Sequence, residues 1–267
     1  MIVPTLDLPS RSTKPRTSGL TIAIDTGLPV RAFVDAVESA ADVIDLVKFG
    51  WGTALVTPHL ADKIAVLHEH EIGYFFGGTL GEKFIAQHRF DEYLSFCHRH
   101  GCRYVEVSNG TIPLDNRRKA HYIARAASRF SVFSEVGYKD QERSQELDAE
   151  QWVASITQDL AAGATFVITE ARESGRSGIC HADGNLRFEL VEHILGSGIP
   201  HDRLVFEAPT KDLQAFFVTR LGPDVNLANI AVADVLATET LRLGLRADTL
   251  LHFELERHHR QELANRA

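Results

Sequence analysis

The chain has 267 residues, 44% hydrophobic and 24% charged, which excludes a disordered or fibrous polypeptide and supplies apolar material for one large core. Lys and Arg total 28 against 36 Asp and Glu, a net charge of −8, so neither a nucleic-acid coat nor an anionic membrane is an expected partner. Three cysteines without regular spacing, Cys97, Cys102 and Cys180, argue against a disulfide framework or a Cys-rich zinc site. Met1–Gly19 is polar, carries Pro4, Pro9 and Pro15, and has no apolar core of a secretory signal. No run of 18 apolar residues occurs, so no membrane span is expected and the default setting is the reducing cytoplasm.

Along the chain, short β-branched or aromatic runs alternate with helical stretches. The runs are Thr21–Ile24, Val43–Phe49, Gly73–Phe76, Arg103–Val107, Ser131–Val136, Thr165–Thr169, Leu204–Phe206 and Val225–Ala228. Their starts lie roughly 20 to 40 residues apart, the spacing of a βα unit. Between them, Val30–Ala41 carries an apolar face of Phe33, Val34, Val37 and Ala40, and Leu60–Glu69 and Phe90–His100 behave likewise. Asp148–Ala162 ends at Gly163, as Phe90–His100 ends at Gly101. Asp212–Leu221 and Ala233–Leu243 complete the series, and Thr249–Ala267 reads as a C-terminal helix whose His258, His259 and Arg260 form a solvated face. Eight βα units predict a single-domain α/β chain folded as a (β/α)8 TIM barrel. A doubly wound open sheet is the alternative, weakened by the absence of a Gly-rich dinucleotide fingerprint after the first strand. The expected divisions are an N-terminal extension over 1–19, the barrel over 20–251 and a helical tail over 252–267.

Such barrels carry their chemistry at the C-terminal strand ends. Here those ends hold Asp25, Lys48, Gly77-Gly78-Thr79, Glu106 with Ser108 and Asn109, Glu135 with Lys139, Glu170 with Arg172, Glu173 and Arg176, Glu207, and Asn226 with Asn229. Any one of the acids could cap a helix, as Asp25 could. Five or more acids and two lysines converging on one mouth would be costly to bury unless they pair or hold a metal. Several carboxylates suit Mg²⁺. Lysine and arginine suit phosphate and carboxylate groups, and a lysine with a lowered pKa can move a proton. No His-Glu-x-x-His or Gly-x-Ser-x-Gly segment occurs, and His68 and His70, two apart on a helix, point away from each other.

At these same strand ends the chain resembles the phosphosulfolactate synthases. The resemblance rests on Val47-Lys48-Phe49-Gly50-Trp51-Gly52-Thr53, Gly77-Gly78-Thr79-Leu80, Val105-Glu106-Val107-Ser108, Glu135-Val136-Gly137, Arg172-Glu173-Ser174-Gly175, Phe206-Glu207-Ala208-Pro209 and Asn226-Leu227-Ala228-Asn229-Ile230, in order from about Leu20 to Leu251. It implies a (β/α)8 barrel that adds sulfite to phosphoenolpyruvate with Mg²⁺, giving (2R)-phospho-3-sulfolactate, an early intermediate towards coenzyme M in methanogens. Lys139 matches the family lysine assigned to protonate C2. With it, Lys48 and Arg172 are the expected catalytic residues. Glu106, Glu135, Glu170 and Glu207 are the expected metal ligands. Asp25, Gly78, Ser108, Arg176, Asn226 and Asn229 are the expected substrate contacts.

The chain departs from the family pattern at Thr26 and Tyr138, where lysine is common, at Asn109 for aspartate, and at Arg176 for lysine. Two alternatives therefore stay open: a different nucleophile added to phosphoenolpyruvate or a similar unsaturated acid, and a non-catalytic stress-associated barrel. The concentration of costly charges speaks against the second. A homo-oligomer is compatible with the sequence.

Overall fold

A computed structural model describes residues 6–172 and 174–264; residues 1–5 of the expected extension, Glu173, and residues 265–267 of the expected tail lie outside the described residues. The strands are β1 (Thr21–Asp25), β2 (Leu46–Phe49), β3 (Gly73–Phe76), β4 (Tyr104–Val107), β5 (Ser131–Val136), β6 (Phe166–Thr169), β7 (Leu204–Glu207) and β8 (Leu227–Ala231). The helices are α1 (Val30–Ala40), α2 (Thr53–Val56), α3 (Leu60–Glu69), α4 (Gly78–Ala86), α5 (Phe90–Arg99), α6 (Asn116–Ala127), α7 (Gln141–Glu146), α8 (Ala149–Ala161), α9 (Phe188–Gly196), α10 (Lys211–Leu221), α11 (Val235–Arg242) and α12 (Ala247–Ala264). The strands are parallel and run in the order β3-β2-β1-β8-β7-β6-β5-β4, a nearly closed (β/α)8 barrel. The open-sheet alternative is thereby excluded, since β1 and β8 are paired.

Period-two alternation sorts every strand into an axial and a helix-facing set. Ile22, Leu46, Phe75, Phe133, Ile168, Val205 and Ala228 pack together inside the barrel. Phe133 stacks between Phe75 and Phe166, with ring centroids 4.9 and 5.1 Å away. Two residues further along their strands, Leu46, Phe133, Ile168 and Val205 are followed by Lys48, Glu135, Glu170 and Glu207. The strand pleat thus aims those polar side chains at the axis, directly above the aromatic plug. Ala23, Val47, Val105, Val167 and Phe206 face outward into the main core beneath the helices.

The sheet is interrupted between β3 and β4, where the described residues show no ladder. The carbonyl of Glu106 on that side accepts a hydrogen bond from the Tyr93 hydroxyl at 3.2 Å. β8 differs from the predicted run Val225–Ala228: it starts later and carries a bulge. The register moves from Thr21 opposite Leu227 to Ala23 opposite Ile230, and Asn229 takes φ 58°. An extra residue of this kind re-aims a side chain.

Helix α4, absent from the sequence reading, begins on two glycines and contains Gly81, all poor helix formers. Tertiary packing overrides that propensity, because a Cβ on Gly81 would sit 3.3 Å from the Tyr93 ring. The expected boundary at 251/252 falls inside α12, whose Phe253 is buried in the core. His258 and His259 are exposed, as a solvated face requires.

Asn226 lies at the opposite end of the barrel from the mouth. Its Oδ1 accepts from the Leu20 N–H at 2.9 Å, and its Nδ2 donates to the carbonyls of Asp202 and Leu204 at 3.0 and 2.9 Å. The expectation that Asn226 contacts substrate is therefore corrected: the late start of β8 leaves it as a brace between β1 and β7. Asn226→Ala strands buried backbone groups and is expected to lower stability by about 1–3 kcal/mol per group left unpaired. A drop in Tm with unchanged turnover of the folded protein checks this.

Candidate active site

Lys48, Glu106, Glu135, Lys139, Glu170, Arg172 and Glu207 all line one small cavity, about 20 Å³, at the C-terminal mouth. Ile24, Trp51, Gly77, Gly78, Thr79 and Asn229 complete its wall. The charges alternate in space. Lys48 Nζ lies 3.1 Å from Glu106, 3.3 Å from Glu207 and 3.8 Å from Glu135. Lys139 Nζ lies 3.3 Å from Glu135 and 3.8 Å from Glu170, and donates to Thr79 Oγ1 at 3.1 Å. The Glu207 carboxylate also accepts the backbone N–H groups of Ala171 and Arg172, at 2.9 and 3.0 Å. A roomier cavity of about 530 Å³ opens at the N-terminal end; there Arg16 pairs with Asp45, and Lys14 donates to the Ala41 carbonyl. Buried carboxylate oxygens without hydrogen-bond partners among the described residues gather at the mouth, on Glu106, Glu135 and Glu170.

Four buried carboxylates against two lysines carry excess negative charge, and the proton equilibria show how it is relieved. Burial raises Glu106 to about 7, against the pull of Lys48. Glu170 is raised well above the carboxylate range by burial and by the charges of Glu135 and Glu207. Burial opposes ionisation of Glu135 too, but the charges of Lys139 and Lys48 outweigh it and bring it down to about 2. The same surroundings thus favour the neutral form of Glu170 and the ionised form of Glu135. Burial lowers both lysines, and the neighbouring carboxylates more than reverse this, so Lys48 and Lys139 are both raised. The sequence reading allowed for a lysine with a lowered pKa; the structure corrects that, because each lysine is surrounded by acids. The two differ in access, with side-chain exposures of 7% for Lys48 and 22% for Lys139.

The remaining expected contacts divide. Gly78 belongs to the wall, and its N–H donates to Glu106 Oε1 at 2.9 Å. Asn229 is 5% exposed, and its Oδ1 lacks a hydrogen-bond partner among the described residues. Asp25 and Ser108 are corrected as substrate contacts, because both are turned into the helix layer. Asp25 pairs with Lys63 at 2.5 Å and accepts the N–H groups of Gly27 and Leu28. Ser108 donates to Glu82 at 2.5 Å. Arg176 is exposed on the loop after β6, outside the cavity wall. Trp51, Arg172 and Asn229, at φ 50°, 60° and 58°, are left-handed non-glycine residues, and all three line the cavity. Such conformations gather at functional sites.

Buried supports escaped the sequence reading. Lys63, Glu82, Lys119 and Asp159 are nearly inaccessible. Their signal was present: each occupies a position on the apolar stripe of its helix, as Lys63 does among Leu60, Ile64 and Leu67.

The fold and site define a (β/α)8 barrel with a buried acid–lysine cluster at its catalytic end. Residues 9–248 match the model of the (2R)-phospho-3-sulfolactate synthase (ComA) family. The phosphosulfolactate synthase of Bacillus subtilis (strain 168) is 52% identical over 244 residues, covering 91% of this chain and 97% of that protein. The phosphosulfolactate synthase of Methanothermobacter thermautotrophicus is 39% identical, covering 91% and 95%. A solved 3-hexulose-6-phosphate synthase superposes with a TM-score of 0.54 at 16% identity, covering 84% of this chain and 98% of that one, a likeness of fold alone. The chain belongs to the phosphosulfolactate synthase family, and with it to a family of enzymes. Among the described residues, no helix is long and apolar enough to cross a membrane.

Two outcomes follow from this geometry. A Cβ on Gly78 would lie 2.5 Å from Glu106 Oε1 and closer still to Ser108 Oγ. Gly78→Ala should therefore displace Glu106 and lower stability by about 1–3 kcal/mol, read as a lower Tm together with lost activity. Glu106, raised from 4.5 to about 7 on folding, makes the folded chain bind the extra proton between those values. Its stabilising contribution is present at low pH and lost as pH rises through that window. The Tm of Glu106→Gln relative to the native chain is expected to climb between about pH 4.5 and 7. A constant offset in melts across that range would show that Glu106 ionises normally.

Proposed function

We propose that this chain adds sulfite to C3 of phosphoenolpyruvate to give (2R)-phospho-3-sulfolactate, with Mg²⁺ as cofactor. One observation carries the reading: carboxylate oxygens of Glu135, Glu170 and Glu207 lie within 4.8 Å of one another, beside two lysines held protonated. Both oxygens of Glu135 and Oε2 of Glu170 are buried without hydrogen-bond partners among the described residues. Such a hard, buried, oxygen-only donor set fits Mg²⁺. Glu135, Glu170 and Glu207 would hold it, whereas Glu106, fastened to Gly78 and Lys48, stands outside the triad. The chemistry such an ion supplies is neutralisation of charge that develops on the substrate carboxylate.

Attack of the sulfite sulfur on C3 forms the C–S bond and drives the C2=C3 electron pair towards C2 and the carboxylate. Lys48, sealed beneath the cavity and permanently charged, stabilises that developing charge. Lys139 then gives a proton to C2: its Nζ–H bond breaks as the C–H bond forms. Its greater exposure allows recharging from solvent. Arg172 at the rim can chelate two oxygens of the phosphate. Asn229, re-aimed by the bulge, also lines this cavity, and its Nδ2 is the group that could donate to the same phosphate. Asp25, Ser108 and Asn226 act through structure and do not touch substrate.

The test is incubation with phosphoenolpyruvate, sulfite and Mg²⁺, with a panel of other nucleophiles in parallel, and product identification by mass spectrometry. Phosphosulfolactate formed only with sulfite is the expected result, and a product from another nucleophile in place of sulfite overturns it. Lys139→Ala should lower kcat by about 10²–10⁴-fold while substrate binding persists. Excess EDTA should abolish turnover, and undiminished turnover would remove the metal from the scheme.

A further inference from the structure

On the helix side of β5 an ion pair lies where apolar packing is the rule. Lys119 on α6 is 1% exposed and Asp159 on α8 is 0% exposed. Lys119 Nζ is 2.7 Å from Asp159 Oδ2 and donates a 2.9 Å hydrogen bond to the backbone carbonyl of Glu135. The partner of that carbonyl is explained by the ladder. The carbonyls of Val132 and Val136 face β6, where they accept from Thr165 and Glu170. The carbonyl of Glu135 therefore faces β4, but the last pair of that ladder is Val107 with Ser134. β5 has outrun its neighbour, and Lys119 satisfies the carbonyl left over.

A buried ion pair of this kind is weak evidence for stability, since apolar replacements of similar volume are often neutral or stabilising. Position accounts for it better. Glu135 is the acid on which the cluster converges: it contacts both lysines and shares the triad with Glu170 and Glu207. The seam that carries the pair is itself held in register. Asn116 on α6 donates to Ser155 on α8 at 2.7 Å, and Asn109, on the loop after β4, donates to Asn116 at 2.9 Å.

We propose that Lys119 and Asp159 are positioning residues, which lock the main chain of Glu135 and thereby hold its carboxylate against Glu170, Glu207 and Lys139. The proposal deepens the synthase reading, and its kinetic arm rests on that reading. The double variant Lys119→Met, Asp159→Leu exchanges the pair for apolar side chains. It leaves the Glu135 carbonyl unpaired, so a modest drop in Tm is expected of a chain that still folds; it should lose about 10–100-fold in kcat with a far smaller change in KM, and bind Mn²⁺ alone about 10–100-fold more weakly. Its crystal structure should show the Glu135 carboxylate displaced from its place between Lys139 and Glu170. Native kcat and native Glu135 geometry in the double variant overturn the proposal. Asp159→Asn, which keeps the side-chain shape, decides the point if the double variant does not fold: a loss in kcat at unchanged KM supports the proposal, and native kcat overturns it. Absence of turnover in the native chain with sulfite and phosphoenolpyruvate would sink the synthase reading alone, and the position of Glu135 in the variant structure would still decide this one.

Discussion

The energetics of this barrel turn on the enclosure of four carboxylates and two ammonium groups around a cavity of only about 20 Å³. The aromatic plug of Phe75, Phe133 and Phe166 closes it from below, so the charges cannot be screened from that side. In such surroundings each ion must be met by an opposite charge, a hydrogen bond or a proton. The alternation of Glu106, Lys48, Glu135 and Lys139 meets the first need. Backbone N–H groups of Gly78, Ala171 and Arg172 meet the second. The upward shift of Glu170, driven by burial and by the charges of Glu135 and Glu207, answers the third.

That arrangement makes demands on everything around it. Backbone donors must point inward, which places a glycine at the start of α4 and turns Arg172 into a left-handed conformation. The loops must not drift, so buried acids and bases in the helix layer tie them down. Glu82 accepts from Ser108 and from the N–H groups of Thr111 and Ile112. Asp25, paired with Lys63, does the same for the turn after β1. These side chains never reach the cavity. They convert helix packing into placement of the groups that do.

The departures from the family pattern fall where the structure is most permissive. Thr26 and Arg176 are exposed, and Tyr138 is half-buried. Asn109 is buried but serves the α6 seam through Leu114 and Asn116, a role in which an amide can donate and an aspartate cannot. None of the four belongs to the acid–lysine cluster itself.

The eight-fold alternation of strand and helix was legible in the chain because burial on one face writes its period into the residues: two in Leu46–Lys48 and Phe133–Glu135, and close to four in the stripe of α3. The polar ends of those strands marked Lys48, Glu106, Glu135, Lys139, Glu170 and Glu207 before any coordinates. What period alone could not carry was direction at the places where the period breaks. The bulge at Asn229 separates two asparagines three residues apart in sequence, sending one to the mouth and the other to the barrel floor. Asp25 and Ser108 look like their neighbours at the strand ends, yet face Lys63 and Glu82, because helices distant in sequence supply the partners. Proton affinities were equally out of reach, since the same glutamate side chain is raised at Glu170 and lowered at Glu135 by burial and charges that only the closed barrel assembles.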